Sequence, residues 1–388
     1  MIPLKDFSKQ KHFPGTHGNP FDIALHKLEE LDGLPFLYFL LIVVLISFGG
    51  TLLYLVKRTF LQTGLLLLFI LLDWLLIFWL PHKKRSFGPV KPAVLQLAIG
   101  RSIFALVPLP LWGFLALQTL GTAAMVYGFW VEPFQVRVTH MQLASPKLPK
   151  GTVLKVLHLG DLHMERRTIR EERLLLAIQQ LQPDVILFSG DILNLSYLHD
   201  PLAWQEARAV LRQLHAPLGT FLVSGSPAVD LPEILPGLLK DLPVHLLHDE
   251  MVFLPVGSSQ ITLIGTHCSH RPFVDGPILE QLWETLNIPD QFSILLHHSP
   301  DIAPFAARLG FDLQLSGHTH GGQVCLPWYG ALFTASLYGK QFEAGPYHLN
   351  SMLLYITRGI GLEGAGAPRV RFLCPPEIIL WEITSSEN

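Results

Sequence analysis

The chain has 388 residues, 49% of them hydrophobic and only 15% charged, with a mean hydropathy of +0.37. Soluble domains carry about 25% charged residues, so these figures argue against a wholly soluble chain and equally against a disordered one. A formal net charge of −3 argues against a generally basic nucleic-acid binder. Cys268, Cys325 and Cys374 are too scattered for a C-x-x-C site or a disulfide framework, which points to a reducing compartment.

Charge divides the chain. Residues 1–34 form a polar tail with Lys5, Lys9, Lys11 and Lys27, and their presence ahead of the first apolar run argues against a cleaved signal peptide. Residues 35–132 hold nine charged side chains, and the pattern predicts a membrane region of three or four helices. Pro35 to Val56 is uncharged over 22 residues, about 33 Å as a helix and enough to cross a bilayer. Phe60 to Leu80 is broken only by Gln62 and Asp73. Ala93 to Trp130 contains Arg101 and a Pro108-Leu109-Pro110 break, which suits two shorter spans.

The basic loop at Lys83, Lys84, Arg85 and Lys91 outweighs Lys57 and Arg58 in the preceding one. With four spans, the positive-inside rule then places both termini in the cytoplasm, making this a multi-pass membrane protein with a cytoplasmic C-terminal domain. In a helical hairpin Asp73 and Arg101 reach similar depth, where isolated charges are costly, so a structural ion pair is expected.

A connector over 133–152 leads into a mildly acidic domain over 153–388. Residues 133–388 hold 17 Lys and Arg, 24 Asp and Glu, and 14 of the 18 histidines. Short β-branched or aromatic runs predict strands at 153–159, 184–189, 220–223, 261–264, 292–296, 313–315, 352–356 and 378–383. Leu174, Leu175, Ile178 and Leu181 mark one face of a helix over 169–182. Strand–helix–strand at the start, with fewer helices later, predicts an α/β fold with a mixed sheet.

Polar residues collect where the strands end. The runs finish in Asp161-Leu162-His163, Gly190-Asp191, Ser224-Gly225-Ser226, His297-His298 and Gly317-His318-Thr319-His320-Gly321-Gly322. Open α/β sheets bind ligands at that edge. Alternate residues leaving an extended strand point the same way, so D-x-H and H-x-H suit a divalent cation such as Mn, Fe, Zn or Co. His158 reads as a core histidine.

This series resembles the calcineurin-like metallophosphoesterases over residues 153–383, and within them the membrane-anchored bacterial subgroup with an "EP" connector like Glu132-Pro133. The resemblance implies an αββα sandwich with two divalent ions: Asp161, His163 and His320 on one, His298 and His318 on the other, and Asp191 bridging. It implies in-line attack on phosphorus by a hydroxide shared between the ions, and a substrate of the UDP-2,3-diacylglucosamine type, in which a phosphoester or pyrophosphate is linked to lipid or nucleotide. One motif departs: the family has Gly-Asn-His-Asp/Glu where this chain reads Gly225-Ser226-Pro227-Ala228. Ser226 is a weaker, shorter donor than asparagine, and Pro227 can neither steady a phosphoryl group nor protonate a leaving group. The second ion site is therefore expected to be weak, and a metal- or phosphate-binding sensor is the alternative function. His297, His267 and His270 are substitutes among which the sequence does not choose. Arg166 and Arg167 are candidate phosphate clamps, Asn194 a partner for a metal-bound water, and the apolar run 326–333 a lip for acyl chains.

Overall fold

The computed structural model describes residues 2–52, 56–285 and 291–386. The tail is ordered: Pro20 at the first position and Asn19 as cap, its side chain accepting from the Phe21 amide, start helix α1 (Pro20–Glu30). Four apolar helices follow, α2 (Phe36–Thr51), α3 (Val56–Trp79), α4 (Val90–Ala105) and α5 (Leu111–Val126). Phe39, Val43, Leu66, Ile70, Val94, Ala98 and Phe114 form their shared core. Leu37, Phe60 and Trp112 point outward and are about three-quarters exposed, so the bundle is apolar on both faces.

The helices differ in length. The stretches Phe60–Trp79 and Leu111–Phe134 are long and apolar enough to cross a membrane, and the pair Pro20–Gly33 with Phe36–Thr51, bent by 117°, gives a third at most. Helices α2 and α4 have 16 residues each, about 24 Å against a hydrocarbon core of about 30 Å. The side chains of residues 53–59, Lys57 and Arg58 among them, lie outside the described residues. Asp73 and Arg101 do pair. The guanidinium meets the carboxylate through two bonds, Nε–Oδ2 at 2.5 Å and Nη2–Oδ1 at 2.8 Å, and donates to Gln118 and Thr122 as well.

Two six-stranded mixed sheets stack beyond the helices. The first runs β1 (Arg137–Ser145), β14 (Glu377–Ser385), β2 (Val153–Leu159), β3 (Val185–Phe188), β4 (Thr220–Leu222), β5 (His245–Leu246). The second runs β12 (Gly345–Leu349), β13 (Met352–Ile356), β9 (Leu313–Ser316), β8 (Ser293–Leu296), β7 (Ser259–Gly265), β6 (Glu250–Val256). Period-two alternation places Val156, Val185 and Leu187 against Leu263, Ile294 and Leu315 between the sheets. Leu157, Ile186 and Phe188 face helices α6 (Ile169–Leu181) and α7 (Pro201–Leu211) on one outer side. Short α8 (Leu235–Leu239) adds to that layer, and α9 (Pro272–Glu284) and α10 (Ala303–Leu309) cover the other sheet.

Strand β1 falls in the expected connector. Its alternation is diluted by Thr139, His140 and Gln142, and it is held by parallel pairing to β14, at the far end of the sequence. A small hairpin, β10 (Cys325–Leu326) with β11 (Gly330–Ala331), projects after the H-x-H motif. The end of α5 docks on the loop before β14: Arg371 N donates to Gly128 O, Leu373 N to the buried Glu132 carboxylate, and Tyr127 packs edge-on against Phe372. That loop also bonds the site, through Cys374 Sγ to His320 O.

Candidate metal centre

Strands β2, β3 and β4 run parallel in one sheet and β8 and β9 in the other, so their C-terminal loops meet at one edge of the sandwich. Those loops are zipped together: Asp161 N donates to Gly190 O and His163 N to Asp191 O. Asp161, His163, Asp191, His318 and His320 all adopt positive φ, between 42° and 73°. That region costs of order 1–3 kcal/mol for a side-chain-bearing residue and clusters at functional sites. Gly190, at φ 95°, makes the turn that delivers Asp191.

The six predicted ligands converge. His163 Nε2 lies 3.4 Å from Asp191 Oδ2 and 3.0 Å from His320 Nε2, which is 3.9 Å from Asp161 Oδ1. Across Asp191, His298 Nε2 is 3.4 Å from the same Oδ2 and its ring centroid 5.2 Å from that of His318. Ser226 N donates to Asp191 Oδ1 at 2.6 Å, and its hydroxyl sits 3.2 Å from Oδ2 and 3.1 Å from His298 Nε2. Ligand atoms of Asp161, His163, Asp191 and His320 all fall within 4.8 Å of one another, as do those of His270, His298 and His318. Among these, Asp161 Oδ2 and His318 Nε2 are buried without a hydrogen-bond partner.

Unsatisfied buried acceptors are costly and rare, and carboxylate oxygens and imidazole nitrogens aimed at common points fit divalent cations.

Electrostatics divide that donor set. Burial lifts the Asp161 carboxyl to about 6 against the pull of His298, with the Asp191 charge adding. Burial works against ionisation of Asp191 too, yet His298 and His163 hold it well below the carboxylate range. Burial opposes the His298 imidazolium, but Asp191 carries it to about 9. Burial and the His298 charge push His318 down to about 3, and burial with neighbouring imidazoles holds His320 and His270 well below 6.5. His318, His320 and His270 therefore offer lone pairs at pH 7, whereas for His163, as for His298, burial opposes the imidazolium but Asp191 raises the pKa, and a cation would have to displace that proton.

The remaining candidates lie elsewhere. Arg166 is bound to Asp200 at 2.9 Å and stacked on Tyr197, and Arg167 is exposed; neither lines the cavity over the site. Asn194 is used internally, donating to Leu362 O and accepting from Ser196 N. His297 bonds Thr266 and belongs with Cys268 and Asp275 to a separate buried group, and His267 pairs with Asp249. His270, one of three interchangeable substitutes in the sequence, enters the centre, its Nε2 3.1 Å from Ser226 Oγ. Asp230 gave no signal at all: its carboxylate collects the amides of Asp191, Ile192 and Gly225 and so fixes the two turns against each other.

The tail was equally unforeseen here. A cavity of about 390 Å³ opens over the centre, and its wall includes Gln10, His12, Pro14, Gly15, Phe21 and Asp22 together with Phe333. Phe13 is buried against Phe273, Gly15 O accepts from Ala228 N, and Phe21 stacks on Phe333 at 4.8 Å. On the other rim the β10–β11 hairpin leaves Leu326, Trp328, Tyr329, Leu332 and Phe333 exposed, Trp328 fully.

The calcineurin-like phosphoesterase family model matches residues 154–322. An uncharacterised metallophosphoesterase of Bacillus subtilis, YkuE, is 32% identical over 71% of this chain and 96% of its own length. The UDP-2,3-diacylglucosamine pyrophosphatase LpxG of Chlamydia trachomatis is 25% identical over 68% of this chain and 95% of its own. The phosphodiesterase YaeI of Escherichia coli is 26% identical over 68% and 96%.

Proposed function

The chain belongs to the calcineurin-like phosphoesterase family, and from that premise we propose that it is a membrane-anchored hydrolase of a lipid-linked phosphoester or pyrophosphate, with its site on the cytoplasmic side. It is a phosphoester hydrolase by family. The observation that carries the reading is the convergence of six ligand residues on one crevice under a cavity with an apolar rim.

Asp161, His163, Asp191 and His320 would hold one divalent ion, and Asp191, His298 and His318 the other. Such ions polarise phosphoryl oxygens and acidify water. The protein's part is positioning. Asp230 locks the two turns that aim Asp191 and Ser226, and Arg371, fully buried, ties the Arg358–Gly361 carbonyls behind Asp161. The cavity wall of Phe21, Phe333, Leu195 and Val370 suits an apolar substituent beside the phosphate.

Three features support membrane attachment and an amphiphilic substrate. The α2–α5 bundle exposes large apolar side chains. The basic residues Lys83, Lys84 and Arg85 suit a cytoplasmic loop under the positive-inside rule, and contacts of that loop with the domain, Phe87 N donating to Glu165 and the Tyr197 hydroxyl to Phe87 O, support a shared side for the two. The apolar hairpin is continuous with the membrane end of the domain, because Cys325 N bonds Phe372 O and Phe372 packs on Tyr127. The likeness to LpxG at 25% identity favours a nucleotide-linked diacyl sugar.

The test uses the full chain in detergent with Mn or Zn, on bis-p-nitrophenyl phosphate and on UDP-2,3-diacylglucosamine in mixed micelles. Turnover of both is expected, with the lipid preferred, and Asp191→Asn and His320→Ala should abolish it. Turnover untouched by either substitution overturns the site assignment; metal binding without turnover leaves the sensor in its place.

A further inference from the structure

The second ion site lacks the family's asparagine, and Ser226 alone does not replace it. Its hydroxyl is spent on Asp191, His298 and His270, all within 3.2 Å. We propose that His270 takes over as ligand, giving a second site of Asp191, His270, His298 and His318. This rests on the two-ion reading above.

The geometry is that of a ligand ring and not of a packed one. His270 is 2% exposed and comes from the loop joining β7 to α9. Its ring centroid lies 4.1 Å from that of His318 and 5.6 Å from that of His298, and one nitrogen of each of the three falls within a 4.8 Å group. His318 Nε2, facing the same point, is buried with no hydrogen-bond partner.

The loop bears strain to present the ring: His270 has φ 58°, a conformation that its neighbour Ser269 stabilises by bonding Asp275 at the start of α9 through both amide and hydroxyl. The space is closed from behind by the tail, since a Cβ on Gly15 would come within 2.8 Å of both His270 Nε2 and Ser226 Oγ. The serine hydroxyl reaches the same place, 3.1 Å from both His270 Nε2 and His298 Nε2, but a neutral alcohol is a weaker donor to a divalent cation than the imidazole beside it.

The substitution changes the chemistry. Replacing a carboxamide oxygen by nitrogen yields three imidazoles and one carboxylate, a set that favours Zn or Co over Mn or Mg. The second site is therefore expected to be selective for Zn or Co.

Metal content of the full chain, purified in detergent and dialysed against Zn or Mn, tests this without reference to turnover. The wild type should retain two Zn but about one Mn per chain, and His270→Ala about one Zn. Adding Ser226→Asn to His270→Ala should restore the second ion and lift the bias against Mn. Retention of two Zn by His270→Ala overturns the inference and leaves the two-ion reading standing. A wild type holding one ion or none refutes the two-ion reading itself, and the inference with it. Should His270→Ala fail to fold, the double variant decides: a second ion that still discriminates against Mn overturns the assignment.

Discussion

His158 shows how a single buried side chain can set the acid tolerance of the fold. It points between the sheets from β2, fully buried, with Nε2 3.3 Å from Ser189 Oγ and Nδ1 unpartnered. Burial pushes its pKa down to about 3, while Glu377 pulls weakly the other way. A base whose folded pKa is lowered leaves stability intact above the unfolded value of about 6.5 and removes it as pH falls from there towards 3. The full penalty is about 5 kcal/mol. His158→Gln, neutral throughout, should flatten the fall in the urea midpoint between pH 6.5 and 4.5; parallel curves for the two proteins would show that His158 carries no such load. The same scale explains what was legible in the sequence. Asp161, His163, Asp191, His298, His318 and His320 stand at strand ends after apolar runs, where position alone suggests direction. His270 sits in a loop with no such punctuation, and Asp230 works through backbone amides that no side-chain pattern records.

Among the elements, the helices and strands with their own hydrophobic period were readable, and those held by distant partners were not. Helix α6 declares itself through its apolar face and the Thr168–Glu171 capping box. Strand β1 is defined by β14, some 240 positions later, and the tail by surfaces as remote as Phe273 and Phe333. The docking of that tail can be weighed. Phe13 is its buried anchor, and Phe→Ala at such a site removes about 3 kcal/mol, on the order of a hundredfold in the detached population. Phe13→Ala should accordingly speed protease cleavage within residues 10–19 by a comparable factor while leaving the domain after residue 136 intact. Unchanged cleavage would mean that the segment is held by other contacts.

At the level of the whole molecule, the helical bundle is joined to the sandwich by packing at the α5 terminus, and the bundle itself is fixed by an internal charge pair. Arg101 and Asp73 are almost fully buried. Removing one partner strands the other, at about 3–5 kcal/mol. Arg101→Leu should lower the melting temperature of the detergent-solubilised chain markedly, whereas the exchange Asp73→Arg with Arg101→Asp should recover much of the loss. If the exchange behaves as the sum of its single charge reversals, the pair does not act as a unit. Helix length was less legible than composition: the uncharged run from Pro35 to Val56 covers 22 residues, whereas α2 within it has 16 and is entered through a 117° bend, and α4 has 16 before the Pro108-Leu109-Pro110 break.

The tail's place beside the crevice has a practical corollary for biochemistry on this enzyme. Excising residues 134–386 would preserve all six proposed strand-end ligands, and His270 with them, but would strip away one side of the cavity above them. Rate constants from such a fragment would describe an unroofed cleft, too permissive towards small soluble esters and indifferent to whatever the missing side selects. Comparing the two preparations on short- and long-chain substrates would turn that artefact into a measure of how much discrimination the first twenty-odd residues contribute.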